Sequence, residues 1–111
     1  MGGKQDKINK ESLKIAKIFS KAIRKKYKIE KLILFGSRAR GDEFVTSDFD
    51  FIVVSSDFRG VKFTHRMAEM YKYWNEAIDV EPLCYTPKEF ERKKKEIGIV
   101  RQAVKEGLEI N

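Results

Sequence analysis

Cysteine, histidine and tryptophan occur once each in these 111 residues, and proline twice. A lone Cys84 cannot close an intrachain disulfide, so a reducing, cytoplasmic setting is the expectation. With His65 the single histidine, no Cys and His set for zinc exists, and any metal must be held by oxygen. No stretch approaches the run of about 18 apolar residues that a membrane span needs. The opening MGGKQDKINK also lacks the apolar centre of a secretory leader, and Asp6 stands where a myristoylation signal has Ser or Thr. Internal repeats, low-complexity tracts and linker-like stretches are missing as well, so residues 1–111 are expected to form a single domain.

Hydrophobic residues make up 41% of the chain, enough for one core, and charged residues 37%, with a formal net charge of +7. A chain of this size buries roughly 65% of its unfolded surface, so one core is affordable and two are not. The positive balance points toward a polyanionic partner such as a nucleotide. Direct nucleic-acid binding is not expected, because the lysines of KIAKIFSKAIRKKYK and ERKKKE read as solvated faces with no aromatic interleaving to stack bases.

Apolar residues Ile8, Ile15, Phe19, Ala22 and Ile23 recur at helical spacing between Ile8 and Tyr27, predicting an amphipathic first helix. KLILF is too short for a helix and reads as a buried strand entering Gly36. DFDFIVVSS reads as a second strand, with Asp48, Asp50, Ile52 and Val54 on one face and Phe49, Phe51 and Val53 on the other. Phe63, Met67, Met70, Tyr71 and Trp74 form a helical stripe expected to face the core. AIDVEPL predicts a third strand, with Asp79 and Glu81 on one face and Pro82 marking an edge. Thr86–Glu89, TPKE, combines a capping box with proline at the first helical position. The last helical stretch carries Ile97, Val100, Val104 and Leu108, broken near Gly98. The order implies a small α/β sheet packed against helices.

Two aspartates opening an apolar strand need a joint explanation, because buried carboxylates are costly unless paired, hydrogen-bonded or bound to a metal. Asp48 and Asp50 point to one side of the sheet, where like charge raises one pKa unless a cation intervenes. Oxygen donors of this kind favour Mg²⁺ or Mn²⁺. Asp79 on a neighbouring strand would be a third carboxylate, and three such groups permit two metal ions, an arrangement suited to phosphoryl or nucleotidyl transfer. GSRARG supplies the complement: Gly36 allows close backbone approach, Ser37 offers a hydroxyl, and Arg38 and Arg40 can clamp phosphate. Arg38 has a second reading, a structural cation held by a salt bridge.

Strand, Gly36-Ser37, ten residues, Asp48-x-Asp50 opening a strand, then an apolar-flanked Asp79: this series resembles the nucleotidyltransferase superfamily that includes DNA polymerase beta. Within it, GSRARGDEFVTSDFDFIVV looks most like the minimal nucleotidyltransferases, often paired as antitoxins with HEPN-domain toxins. The likeness is tight over residues 32–54 and looser to about residue 91. It implies a polymerase beta-like fold with a small mixed sheet, and two Mg²⁺ ions, replaceable by Mn²⁺, held by Asp48, Asp50 and Asp79. Glu81 is the alternative third ligand, and Asp79 is favoured by its flanks Ile78 and Val80. The resemblance also implies that Gly36 and Ser37 hold the phosphates of ATP or another nucleoside triphosphate. The implied reaction places a nucleotidyl group on a hydroxyl, with pyrophosphate released and a HEPN partner as acceptor. At 111 residues little room is left for an acceptor-binding domain, so a partner or a homo-oligomer is expected to supply one. The contrasting expectation is a catalytically idle antitoxin that neutralises its partner by binding.

Overall fold

The computed structural model describes residues 8–41 and 47–111. The leader and acylation readings at the N-terminus fall mostly on residues 1–7, and part of the GSRARG-to-DFD motif falls on 42–46; both lie outside the described residues. Helix α1 (Lys10–Arg24) leads into β1 (Ile29–Phe35), the single-turn α2 (Ser37–Arg40) and β2 (Phe49–Ser55). Helix α3 (Phe63–Tyr71), β3 (Val80–Tyr85), α4 (Pro87–Lys93), α5 (Ile99–Glu106) and a two-residue β4 (Leu108–Glu109) follow. The sheet order is β3-β2-β1-β4, with β1 antiparallel to both neighbours and β2 parallel to β3. This is the small mixed sheet expected, with Pro82 on an edge strand, where a missing N–H costs no ladder bond.

Both faces of the sheet are covered, which is why β1 and β2 read as nearly continuous apolar runs. On one face Leu32, Leu34, Phe49, Phe51 and Val53 pack against Ile15, Ala16, Phe19 and Ile23 of α1 and Met70 of α3. On the other, Ile33, Phe35, Ile52, Val54 and Tyr85 meet Phe90 of α4 and Val100 and Ala103 of α5. Asn9 caps α1 through its Oδ1, which accepts from the N–H groups of Glu11 and Ser12. Thr86 and Glu89 form the capping box read from TPKE.

The stripe on α3 departs from expectation. Met70 is buried, but Phe63 and Tyr71 are 38% and 46% exposed, and Trp74 lies beyond the helix end. Its ring still packs on Phe19 and Phe49, held by an Nε1–H bond to the Ile78 carbonyl (2.6 Å). The buried position on α3 that periodicity missed is Arg66, which donates to the carbonyls of Val61 and Cys84 and to Glu89. Beside that guanidinium the Glu89 carboxyl is held below its usual range. The last helical stretch divides at Gly98 as expected, but Leu108 belongs to β4, where it pairs with Leu34. Ile97 is 93% exposed, so it does not pack onto the sheet.

Candidate active site

Three strand ends meet at one edge of the molecule. Phe35, the last residue of β1, pairs with Asp50, and Asp50 pairs with Glu81 on β3. Strands run about 4.8 Å apart and paired side chains share a face, so Asp50 and Glu81 stand side by side above the layer formed by Ile52 and Leu83. Asp48 and Asp79 lie one step before their strands and are exposed, and the Phe49 N–H donates to the Asp79 carbonyl (3.0 Å). Within the strands, alternation puts Asp50 and Glu81 on the α4/α5 side of the sheet, with Ile52 and Leu83; Asp48 and Asp79 lie at its open end.

Gly36 turns the chain from β1 into α2 at φ 78°, ψ −160°, a region that essentially only glycine occupies. A Cβ built there would lie 2.6 Å from Asp50 Oδ2. The turn is thus pressed directly against the carboxylate that the sequence singled out. Gly36→Ala therefore meets two penalties at once, and the expected result is a loss of about 2 kcal/mol from backbone strain alone. Thermal melting with and without Mg²⁺ checks this; a variant with unchanged melting temperature would contradict the geometry.

Asp50 is half-buried, and its carboxyl is pushed up to about 6, first by burial, then by the charges of Glu81 and Asp48, with Arg40 pulling it back. The acid on β3 whose charge acts on Asp50 is Glu81, its cross-strand partner. Among the described residues, no three His, Cys, Asp or Glu side chains stand close enough together to hold an ion as placed. The donors nevertheless suit a hard dication: all are carboxylate oxygens, and a cation would offset the repulsion that raises Asp50.

Beside these acids opens a cleft of about 380 Å³, walled by Tyr71, Trp74 and Ile78 and rimmed by Asp48, Asp79 and Glu81. The family model for the nucleotidyltransferase domain matches residues 16–107. The chain belongs to the nucleotidyltransferase domain family. The comparison with curated proteins finds no match. Among solved structures the fold is similar to that of a Sulfolobus solfataricus protein crystallised as a candidate nucleotidyltransferase, at a TM-score of 0.63 and 23% identity, covering 98% of this chain and 87% of that one.

In this nucleotidyltransferase domain the residues singled out from sequence divide into two groups. Gly36, Ser37, Arg40, Asp48 and Asp50 gather at the open edge: Ser37 is half-exposed at the first position of α2, and Arg40 is exposed and electrostatically coupled to Asp50. Arg38 turns inward. It is 5% exposed, with Nε donating to the Ser47 carbonyl and Nη1 to Ser12 Oγ, both at 3.0 Å, and its guanidinium 4.5 Å from the Phe49 ring centre. Its described contacts are structural, made through hydrogen bonds and a ring face. His65 is exposed on α3, and Asp57 accepts from the Lys28 N–H across a loop. Tyr71 and Trp74 were missed as cleft residues, because a helical stripe reports a face and not what covers it.

Proposed function

We propose that this domain transfers a nucleotidyl group from a nucleoside triphosphate, ATP in the simplest case, to an acceptor hydroxyl in a Mg²⁺-dependent reaction. The observation that supports it most is the cross-strand row Phe35, Asp50, Glu81, with Gly36 pressed on Asp50 and Asp48 alongside. Asp48, Asp50 and Glu81 would hold the metal, with Asp79 at the cleft rim. Bound there, Mg²⁺ supplies Lewis-acid stabilisation for the attacking oxygen and the departing pyrophosphate. Ser37 and Arg40 hold the β and γ phosphates, which sets the α phosphorus above the carboxylates. The acceptor oxygen forms a bond to that phosphorus as its bond to the bridging oxygen breaks; pyrophosphate leaves and the hydroxyl proton is released. The cleft beside Tyr71 and Trp74 is the route by which an acceptor reaches the site.

The acceptor we infer is a hydroxyl on a protein partner, a HEPN-domain toxin being the class that the motif resemblance suggests. The test incubates the full chain with ATP labelled at the α phosphate, Mg²⁺ or Mn²⁺, and a HEPN protein encoded beside it. The expected result is label on the partner and stoichiometric pyrophosphate, both abolished by EDTA. Partner inhibition with no transfer of label would replace catalysis by simple binding.

A further inference from the structure

We propose that Arg38 is a positioning residue for the transfer reaction, locking the turn that carries the phosphate-holding Ser37 to the start of the strand that carries the carboxylates. The proposal rests on the catalytic reading above and deepens it. Three parts of the chain meet at one guanidinium: Ser12 on α1, Arg38 itself on α2, and the Ser47-Asp48-Phe49 entry into β2. The contact to β2 is made at the critical place. The Ser47 carbonyl immediately precedes Asp48, and the Phe49 ring under the guanidinium belongs to the residue between the two aspartates. Ser12 is itself fully buried, so the far end of the brace is fixed in the α1 layer and not in solvent.

The planar, always-charged fork of arginine can reach a hydroxyl and a carbonyl in fixed directions while stacking on a ring, which a lysine ammonium cannot do. An apolar side chain would fill the same space without taking a charge out of water. The cation that acts electrostatically on Asp50 is Arg40, and Arg38 is not among the charges that move its carboxyl. One arginine of the pair thus faces the reaction and the other sets the spacing between the cradle and the metal-binding acids.

Arg66 provides the control. It is buried to the same degree, 6% against 5%, and is bonded to the carbonyls of Val61 and Cys84 and to the Glu89 carboxylate, but it joins α3 to α4 away from Asp48, Asp50 and Glu81. Wild type, Arg38→Lys, Ser12→Ala and Arg66→Lys are compared by melting temperature, by calorimetric affinity for ATP with Mn²⁺, and by pyrophosphate release in the transfer assay. For Arg38→Lys the expected result is ATP affinity within about threefold of wild type and turnover reduced about 10²-fold, the scale of a misplacement near 1 Å. Ser12→Ala removes one bond and is expected to lose about fivefold in turnover, while Arg66→Lys melts earlier but keeps its turnover per folded molecule.

Turnover in Arg38→Lys no lower than in Arg66→Lys would reduce Arg38 to an ordinary structural residue and overturn the proposal. A tenfold or greater loss of ATP affinity, with Ser12→Ala silent, would make it a phosphate ligand and overturn it equally. Should Arg38→Lys fail to fold, Ser12→Ala decides alone. An active wild type with indifferent variants removes only the positioning role; a wild type that neither binds ATP nor releases pyrophosphate removes the catalytic reading and this inference with it.

Discussion

Asp50→Asn is expected to abolish transfer, with turnover falling at least about 10³-fold, while making the metal-free protein more stable. Both effects come from one carboxylate. The group is half-buried, with Glu81 and Asp48 as like-charged neighbours and Arg40 as a partial offset, so its pKa rises from 3.8 to about 6 on folding. A raised carboxyl binds its proton more tightly in the folded state than in the unfolded one. Below pH 3.8 Asp50 is protonated in both states and costs nothing; the penalty grows as pH climbs from 3.8 toward 6 and is complete above that.

At full weight this rise corresponds to about 3 kcal/mol, and solvent screening of a half-exposed group reduces it to about 1 kcal/mol. Asparagine removes the ionisation at nearly constant shape. In EDTA at pH 8 the variant should therefore melt roughly 4–8 °C above wild type, with the gap closing below pH 4. Adding Mg²⁺ or Mn²⁺ should stabilise wild type and leave the variant almost unmoved. Melting curves at two pH values, with and without metal, read all of this; a variant less stable than wild type at pH 8 in EDTA would contradict the electrostatic account.

The second large effect separates Glu81 from Asp79. Both acids stand at the open end of the sheet and rim the cleft, and the chemistry of their side chains does not distinguish them. Register does: Glu81 is the cross-strand partner of Asp50, whereas Asp79 stands one step before β3, where its backbone carbonyl accepts from the Phe49 N–H at the entry to β2. Glu81→Gln is expected to lower turnover by about 10²-fold or more and to weaken Mn²⁺ uptake, as loss of a metal-bound charge does. Asp79→Asn should stay within about fivefold of wild type, the scale of one exposed rim contact. Steady-state pyrophosphate release together with Mn²⁺ titration checks the pair. The reverse order would restore Asp79 to the metal and assign Glu81 to the cleft.

The position of Glu81 shows what kind of information was missing from the linear chain. Apolar flanks, Ile78 and Val80, made Asp79 look like a strand acid, yet β3 begins at Val80 and runs on through Cys84 and Tyr85. Period-two alternation assigns both acids to one face but cannot say which of them sits opposite Asp50, because register between strands 30 residues apart is set by packing of both faces. A two-residue offset leaves every apolar side chain on its proper side. Alternation alone therefore could not choose between them.

Arg38 and Arg66 make the same point for helices. Arg38 carried two readings, phosphate clamp and structural cation, and Arg66 lay within a stripe read as core-facing; each is buried because acceptors outside its own helix satisfy it: Ser12 and Ser47 for one, Val61, Cys84 and Glu89 for the other. Burial of a charged side chain depends on partners supplied by other elements, so no local pattern announces it. Tyr71 and Phe63 err in the opposite direction, as aromatic members of a convincing stripe that the short α3 leaves partly in solvent.

What the sequence determined by itself was whatever depends on near neighbours: the apolar face of α1, two strands too continuously apolar to be anything but central, the TPKE helix start, the break at Gly98, a glycine-serine turn closing one strand and an Asp-x-Asp pair opening the next. These follow from steric and hydrogen-bonding rules that operate within a few residues. Tertiary structure alone decided which acid pairs with Asp50 across the strands, which arginine faces outward, and which aromatic rings wall the cleft. Those choices are settled by register and by partners tens of residues away, at distances where only the assembled sheet and its two helical layers bring the groups together.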